Sequence, residues 1–316
     1  MRITNSTLST NYLRNLNRNL QQMQKFQNQL SSGKEVSRPS DDPLLVSKIM
    51  DLNNNILQNE QYNKNISDSI GWVRTQDGAL NNVSATLNRI RDLMIYGANG
   101  TLDDTSRTAI KDEVGMKIQE LADVLNTNFD GRYIFAGQKT LNKPFEVVGL
   151  PNDYWLSYNH GGNDSDGSKE NITREISKGV RVELITVGSM ITETTNTSVP
   201  QNEKLGALLN YVMRALDGGT ETDLKNLGGD YLKDLDNHID NVLQVRSKIG
   251  AIDNRLQAAE ERNTSENLNL NTLLSEREDV DIAEKYMEYS VMKTVYLASL
   301  QVGSQILQPS LLDYIR

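Results

Sequence analysis

Apolar residues recur at heptad spacing in two long stretches near opposite ends of the chain, Leu45 to Met94 and Leu235 to Met287. The proximal rows are Leu45, Leu52, Ile66, Val73, Leu80, Leu87 and Met94, and Ile49, Ile56 and Ile70. The distal rows are Leu235, Val242, Ile249, Leu256 and Leu270, and Val245, Ile252, Ala259, Leu273, Val280 and Met287. Polar Asn59 and Asn63 interrupt the proximal rows. Stripes with a period of about 3.5 residues predict helices that wind around a partner helix.

We therefore predict a mainly α fold, in which the N- and C-terminal halves form a long antiparallel, coiled-coil-like helical rod. At about 1.5 Å per residue, a helix from Leu45 to Met94 would be about 75 Å long, which exceeds the width of a compact domain. An ordinary helical bundle is the alternative that the same pattern allows.

Between the two stretches, the pattern changes at about Gly131. Short runs rich in β-branched and aromatic residues follow, separated by Gly, Pro, Asn and Asp; they are Tyr133 to Phe135, Phe145 to Val148, Tyr154 to Tyr158, Asn171 to Ile176 and Val180 to Val187. These runs predict an inserted small β-rich domain. Leu205 to Leu216 predicts a short helix ending at Gly218-Gly219, and the break at Gly228-Gly229 precedes the distal helix.

The predicted division of the chain has three parts. Residues 1–42 and 282–316 are terminal assembly helices, residues 43–130 and 205–281 are the helical rod, and residues 131–204 are the β-rich inserted domain.

Both terminal segments carry apolar residues suited to assembly. The segment from Thr294 to Leu312 has no charged residue, but its polar side chains and Pro309 argue against a membrane span. We predict an assembly interface made of Leu13, Leu16, Leu20, Met23, Leu30, Leu297, Leu300, Ile306, Leu307, Leu311, Leu312 and Tyr314. Pairing of the two ends within one chain is the alternative, and it is compatible with assembly.

Composition agrees with a thin core and excludes some classes of partner. Hydrophobic residues make up 37%, aromatic residues 6%, and the mean hydropathy is -0.54. The net charge of -9 argues against a general nucleic-acid binder, because phosphate neutralisation needs clustered Lys and Arg. The first forty residues are basic, which indicates a solvated helix face or, alternatively, an interaction arm.

Candidate chemistry is sparse. The chain has no Cys, which excludes disulfides and thiol catalysis, and its two histidines, His160 and His238, lie far apart without a zinc motif. Asp164 to Gly167 resembles part of a calcium loop but lacks its first Asp, so a polar turn is the better interpretation. The N-terminus lacks the apolar core of a secretory signal. We expect no catalytic, cofactor or metal site.

Several motifs resemble bacterial flagellins. Leu30-Ser31-Ser32-Gly33-Lys34 with Ser40 to Pro43 is similar to the flagellin segment before the rod, and Arg246, Gly250, Ala251, Asn254, Arg255 and Leu256 are similar to its distal counterpart. The segments Arg38 to Pro43, Gly131 to Gly137 and Gln308 to Tyr314 more narrowly resemble the hook-associated protein 3 family of flagellin-like junction proteins. The β-rich middle is only weakly matched.

The resemblance implies a secreted structural subunit of the bacterial flagellum that joins hook to filament as a ring. It implies as partners further copies of the chain, a second hook-filament junction protein, flagellin and an export chaperone, with neither nucleic acid nor membrane. A filament-forming flagellin is the alternative. The residues add that Pro43 suits the first helical turn and that Ser40 or Asp41 is expected to cap it.

Overall fold

The structure is a computed structural model that describes residues 5–150, 153–158, 170–198, 204–218 and 220–306. Its helices are α1 (Asn5–Ser32), α2 (Pro43–Gly97), α3 (Asp104–Leu125), α4 (Ser189–Thr192), α5 (Leu205–Leu216), α6 (Glu221–Gly228), α7 (Asp230–Glu278) and α8 (Ile282–Ile306). Its strands are β1 (Asn128–Phe129), β2 (Arg132–Tyr133), β3 (Phe145–Leu150), β4 (Asp153–Tyr158), β5 (Ile172–Ser177) and β6 (Val180–Leu184). The predicted class, mainly α with a β-rich insertion, is confirmed.

Helix α2 begins as proline geometry favours. Pro43 is its first residue, where the missing backbone N–H costs no intrahelical hydrogen bond. The carboxylate of Asp42 accepts hydrogen bonds from the backbone N–H groups of Leu44 and Leu45, both at 3.0 Å. The capping residue is therefore Asp42, and the expectation of Ser40 or Asp41 was wrong, because neither stands directly before Pro43.

The chain forms two compact units. The first contains Met1–Glu60 and Ser265–Arg316, and the second contains Gln61–Thr264. The boundaries between these units lie within α2 and α7, and they differ from those of the three-part division expected from the sequence.

In the second unit, α2 and α7 run antiparallel. Contacts between them include Asn263 to Asn63 at 2.9 Å, Arg246 to Asp77 at 2.7 Å and Arg91 to Asp236 at 2.6 Å. The partner on α7 therefore moves backwards as the chain advances along α2, as the heptad pattern predicts. In the first unit, Asn267 donates to Asn59 at 3.3 Å, so the polar interruptions of the seam are paired.

The predicted apolar rows form the core of the second unit. Both helices bury their heptad residues almost completely, and these include Ile66, Val73, Leu80, Leu87, Met94, Leu235, Val242, Ile249 and Leu256. Helices α3 and α5 add residues to the same cluster. Burial of a Leu or Ile side chain contributes about 1.5 to 3 kcal/mol, so this seam dominates the stability of the unit.

Helix α3 was not predicted as a separate element. It starts after Asp103, whose carboxylate accepts a hydrogen bond from the backbone N–H of Ser106 at 3.3 Å. Hydrogen bonds from the side chains of Ser106 and Thr105 are the main causes that lower the pKa of Asp103, and the backbone N–H of Ser106 adds to them. The helix buries one face, formed by Ile110, Val114, Ile118, Leu121 and Leu125. These residues are three or four positions apart, as expected for one face of a helix.

The described part of the insertion contains three two-stranded antiparallel hairpins, β1-β2, β3-β4 and β5-β6. The first turns at Asp130 and Gly131, whose φ angles are 52° and 73°. The predicted strand at Tyr133 to Phe135 was wrong beyond Tyr133. Ile134 and Phe135 are turn residues that follow the end of the strand ladder. Their side chains are fully buried in the core.

Amide side chains of the helices hold the insertion in place. Gln76 of α2 is fully buried, and its Nε2 donates to the carbonyl oxygens of Ile134 at 3.1 Å and Ile185 at 2.5 Å. Asn241 of α7 donates to the carbonyl oxygen of Met190 at 3.0 Å. These backbone groups lie outside the strand ladders, so the helices supply the partners that buried polar groups need.

The distal seam ends earlier than predicted. Helix α7 stops at Glu278, and Asp281 caps α8 by accepting from the backbone N–H of Ala283 at 2.9 Å. Val280 and Met287 therefore do not continue the row on α7, and the side chain of Met287 is largely exposed. The heptad spacing across this break is coincidental, because residues 279–281 are not helical.

Removing the buried amide of Gln76 tests the anchoring of the insertion. In Gln76→Leu, the carbonyl groups of Ile134 and Ile185 lose a buried donor, so the free energy of unfolding should fall by about 2 kcal/mol. Denaturant unfolding measures this as a lower midpoint at constant slope. Gln61→Leu on the exposed side of α2 is the control and should change stability by less than about 0.5 kcal/mol. Equal losses in both variants would contradict the assignment.

Two helical glycines should respond to alanine with opposite signs. A Cβ at Gly206 would lie 2.0 Å from the carbonyl oxygen of Leu156, so Gly206→Ala must push α5 off β4 and should cost about 2 kcal/mol. A Cβ at Gly78 meets nothing within 4 Å, and Gly78→Ala should stabilise α2 by about 0.5 to 1 kcal/mol. Thermal unfolding of the two variants checks the order; the same sign for both would refute the packing argument.

Candidate assembly surface

Helices α1 and α8 lie against each other in the first unit. The hydroxyl of Tyr12 donates to the carbonyl oxygen of Ser299 at 2.8 Å. The Tyr12 ring covers Gly303, where a Cβ would come within 2.0 Å of the phenol oxygen. Only glycine permits this approach, so the two terminal helices are fitted to each other.

Each terminal helix turns one half-buried stripe towards the other. On α1 it consists of Tyr12, Leu16, Leu20, Met23, Phe26 and Leu30, and on α8 of Lys285, Tyr289, Met292, Tyr296 and Ser299. Both sets repeat at the three- and four-residue spacing of one helix face. The Lys285 ammonium lies 5.9 Å from the Phe26 ring centroid, a cation–π contact. The sequence-predicted residues Leu16, Leu20, Met23 and Leu30 thus belong to the stripe that faces α8.

Other predicted residues remain exposed. Leu13 is 47% exposed on α1, and Leu297 and Leu300 are 57% and 42% exposed on α8. Ile306 is the last residue of α8. The predictions for Leu307, Leu311, Leu312 and Tyr314 fall outside the described residues.

The exposed apolar face of α8 is larger than predicted. It also includes Ile282, Tyr286, Met287, Val291, Val295 and Val302. Sequence reasoning missed the first part because Met287 fitted the heptad row of the preceding helix. The aspartates at 279 and 281, which break that row and cap the next helix, were the available signal. A monomer seldom exposes this many large apolar side chains on one helix, so this side of α8 is suited to contact with another protein.

A shallow groove lies beside this face. Phe26, Met287, Val291 and Met292 line its apolar part, and Glu284 and Glu288 complete its wall. Methionine side chains adapt readily to a partner's shape, so the groove can receive an apolar side chain.

Helix α8 also bears on the question of a membrane. No helix in the described ranges combines the length and apolar content that a bilayer crossing requires.

A short backbone joint connects the terminal helices to their neighbours within the first unit. The backbone N–H of Glu35 donates to the carbonyl oxygen of Glu278 at 2.7 Å, and that of Val280 donates to Gly33 at 3.1 Å. Gly33 ends α1 with a φ of 71°, a conformation that side-chain-bearing residues rarely adopt. The segments after α1 and after α7 are therefore held side by side by an isolated β-bridge.

Charged groups reinforce this joint. Lys34 is hydrogen-bonded and ion-paired to Glu278, and this contact raises the pKa of Lys34. Lys285 lies 3.5 Å from Glu35 and 3.3 Å from Glu288. Burial alone would lower the pKa of Lys285, but the hydrogen bond to Glu288 and the charge of Glu35 outweigh it, and the net shift is upward.

Candidate catalytic chemistry is limited in the described part of the chain. No group of three His, Cys, Asp or Glu residues there is arranged to hold a metal ion. His238 is fully buried in α7, and His160 lies outside the described residues. The geometry supports contact between proteins through the terminal helices.

Two family models match this chain. The bacterial flagellin N-terminal helical region matches residues 3–140, and the bacterial flagellin C-terminal helical region matches residues 232–315. The matched segments contain α1 to α3 at one end and α7 with α8 at the other.

Curated relatives align over nearly the full length. Flagellar hook-associated protein 3 of Escherichia coli (strain K12) is 26% identical over 314 residues, covering 95% of this chain and 95% of the relative. Flagellin of Bacillus subtilis (strain 168) is 28% identical over 310 residues, covering 96% of each.

Solved structures share the fold. A putative flagellar hook-associated protein from Vibrio parahaemolyticus has a TM-score of 0.63 and 20% identity, covering 76% of this chain and 100% of that chain. Flagellar hook-associated protein 3 from Legionella pneumophila has a TM-score of 0.59 and 16% identity, covering 73% of this chain and 98% of that chain. With both flagellin terminal regions present, the chain belongs to the bacterial flagellin family, as a member of its hook-associated protein 3 branch.

Proposed function

We propose that this chain is a structural subunit of the bacterial flagellum that joins hook to filament and assembles through its terminal helices. The main observation in its support is that α8 packs on α1 and exposes an apolar face, in a chain that has both flagellin terminal regions. The full-length alignment with a hook-associated protein 3 supports the junction position. The protein acts outside the cell, as a part of the flagellum.

We also propose a separate role for each part of the chain. Residues 1–42 and 282–316 are the assembly segments, residues 43–130 and 205–281 form the helical support, and residues 131–204 form the insertion. The exposure of Leu13, Leu297 and Leu300 supports the first assignment, because each offers an apolar side chain to another subunit. Leu307, Leu311, Leu312 and Tyr314 extend the same proposed interface.

The half-buried residues of α1 serve the interface indirectly. Leu16, Leu20, Met23 and Leu30 hold α1 on α8 and so present the exposed face of α8 in one orientation. A helix pair that buries one thin stripe and exposes another gains stability when a partner covers it. Assembly therefore strengthens the order of the terminal helices, and docking and ordering are coupled.

The proposed partners follow from the branch of the family. They are further copies of this chain in a ring, a second junction protein on the hook side, flagellin on the filament side and an export chaperone. The apolar face of α8 supports an intracellular chaperone, since exposed apolar surface favours premature association. The net charge of -9 supports partners other than nucleic acid. A membrane partner is not part of the proposal.

We also propose that the role of this chain is structural and not catalytic. The relatives carry the names hook-associated protein and flagellin, which describe parts of a flagellum. The exposed apolar face offers contact area and lacks the paired nucleophile and base that catalysis needs.

A filament-forming flagellin is the second candidate, favoured by the 28% identity to the Bacillus subtilis flagellin. The two candidates differ in what purified subunits do. A flagellin polymerises into long filaments, whereas a junction subunit stops at a short assembly on a hook end. Electron microscopy of the purified full chain, seeded with isolated hooks, distinguishes them.

Charge placed on the exposed face of α8 should block assembly. In Leu297→Asp/Leu300→Asp, each contact would bury a carboxylate without a partner, so hooks carrying attached filaments should fall at least about tenfold. Electron microscopy of cells lacking the native gene and complemented with the variant gives the count. Leu141→Asp, at another highly exposed leucine, is the matched control and should leave attachment intact. Normal attachment by the double variant would contradict the proposed interface.

Charge reversal at the joint should loosen the terminal helices. Lys34→Glu places a carboxylate beside Glu278, and since an exposed ion pair contributes up to about 1 kcal/mol, amide exchange in α1 and α8 should accelerate about fivefold. Hydrogen exchange read by mass spectrometry measures the rate. The reciprocal variant Lys34→Glu/Glu278→Lys should restore slow exchange. If both variants exchange at the wild-type rate, the ion pair does not hold the joint.

A further inference from the structure

The distal flagellin-like motif on α7 splits into residues that serve the fold and residues that do not. Arg246 donates to Asp77 at 2.7 Å and to Asn81 at 2.9 Å, and Leu256 is fully buried in the core. The other motif residues, Gly250, Ala251, Asn254 and Arg255, are exposed on the outer face of α7. The fold of the chain therefore accounts for only part of this motif.

On the outer face of α7, residues with small side chains lie between two positively charged residues. A Cβ at Gly250 would meet nothing within 4 Å, and the neighbouring Ala251 is also exposed, so the surface is shallow there. Lys248 lies about one turn before Ala251, and Arg255 lies about one turn after it. Within the described residues, neither Lys248 nor Arg255 forms an ion pair. We call these residues, 248–255, the α7 outer face.

Helix α3, in the same compact unit, presents the opposite arrangement. Met116 is 64% exposed at the middle of its outer face. Asp112 lies one turn before Met116 and Glu120 one turn after it, and both are exposed. Asp112 forms no ion pair in the described part of the chain, and Glu120 contacts Lys117 at 2.6 Å in an exposed pair that contributes little stability. We call these residues, 112–120, the α3 outer face.

The two outer faces are complementary in shape and charge. One has a protruding methionine between two carboxylates, and the other has a glycine-alanine depression between two basic groups. The charges flank each centre at three or four residues, which is about 4.5 to 6 Å along a helix. A large side chain over small residues is the knob-and-hole arrangement that lets two helices approach closely.

We propose that the α3 outer face of one copy docks on the α7 outer face of the next copy. Met116 sits over Gly250 and Ala251, and Asp112 and Glu120 pair with the basic residues Lys248 and Arg255. The occupant is a second copy because one chain carries both complementary faces. This contact is heterologous, so copies that repeat it form a ring when the rotation between them closes and an open helix when it does not. This proposed contact depends on the proposed function only in the assumption that the copies assemble into a ring.

Charge reversal with compensation tests the contact. One full-length variant, Lys248→Glu/Arg255→Glu, makes both faces acidic, and another, Asp112→Lys/Glu120→Lys, makes both basic. Each alone should self-associate at least about tenfold more weakly in sedimentation equilibrium at low salt, because like charges meet at every contact. An equal mixture should recover association, since each acidic face then meets a basic one. Failure of the mixture to recover would overturn the pairing.

Cross-linking tests the centre of the contact independently of affinity. The chain has no Cys, so introduced pairs react without background. In isolated flagella carrying Met116→Cys/Ala251→Cys, mild oxidation should produce a ladder of dimers, trimers and higher multiples. Each single variant should give no ladder, and Met116→Cys/Leu141→Cys controls for chance collisions of an exposed loop. A double variant that is present in flagella yet forms no ladder overturns the proposal.

The outcomes separate this inference from the proposed function. If the reversed variants fail to associate in the expected pattern while the wild-type chain still joins hooks to filaments, the α3–α7 contact is wrong and the junction role stands. If the wild-type chain never occurs at hook ends but the cysteine ladder forms, the contact stands and the junction role is wrong.

Discussion

The fold depends on one apolar seam between two antiparallel helices distant in sequence. Residues such as Leu80 on α2 and Leu256 on α7 are fully buried along it, and the remaining helices and hairpins of the second unit add to the same cluster. Because the seam joins the first third of the chain to the last third, it forms only after most of the chain is available. Loop closure over such a separation costs entropy, and the continuous row of buried side chains offsets it.

Hydrogen bonds from buried amide side chains fix the positions of segments that the apolar seam does not hold. The hairpins are short, two-stranded and unstable alone, so their backbone groups need partners from the helices. Gln76 of α2 and Asn241 of α7 provide such partners. The same principle operates in the first unit, where Gln29 is nearly buried and donates to the carbonyl oxygen of Glu35 at 2.7 Å beside the joint. Buried amides thus set positions that apolar contacts alone leave free.

The sequence predicted long elements well and local geometry poorly. The rows around Val73 and Val242 identified the antiparallel helices, because a heptad pattern repeated over many turns fits few arrangements besides paired helices. The strand predicted at Ile134 and the row continued through Val280 were wrong, since β-branched or apolar residues in short segments fit a core plug as well as a strand or helix. The candidate assembly surface was also predicted only in part. The apolar spacing identified the buried face of α1, but only the pairing of α1 with α8 shows which side chains stay exposed.

The Asn263–Asn63 pair has a consequence for how firmly the two long helices hold their register. Its amide groups meet at 2.9 Å within a largely apolar seam, and Asn263 is almost fully buried. If α7 slid along α2 by one heptad, leucine or isoleucine would still meet apolar neighbours, but the hydrogen bond between Asn263 and Asn63 would break. An unpaired buried amide costs about 1 to 3 kcal/mol, so sliding is opposed at one defined point along an otherwise repetitive surface. The pair therefore opposes a shift of register between the two helices.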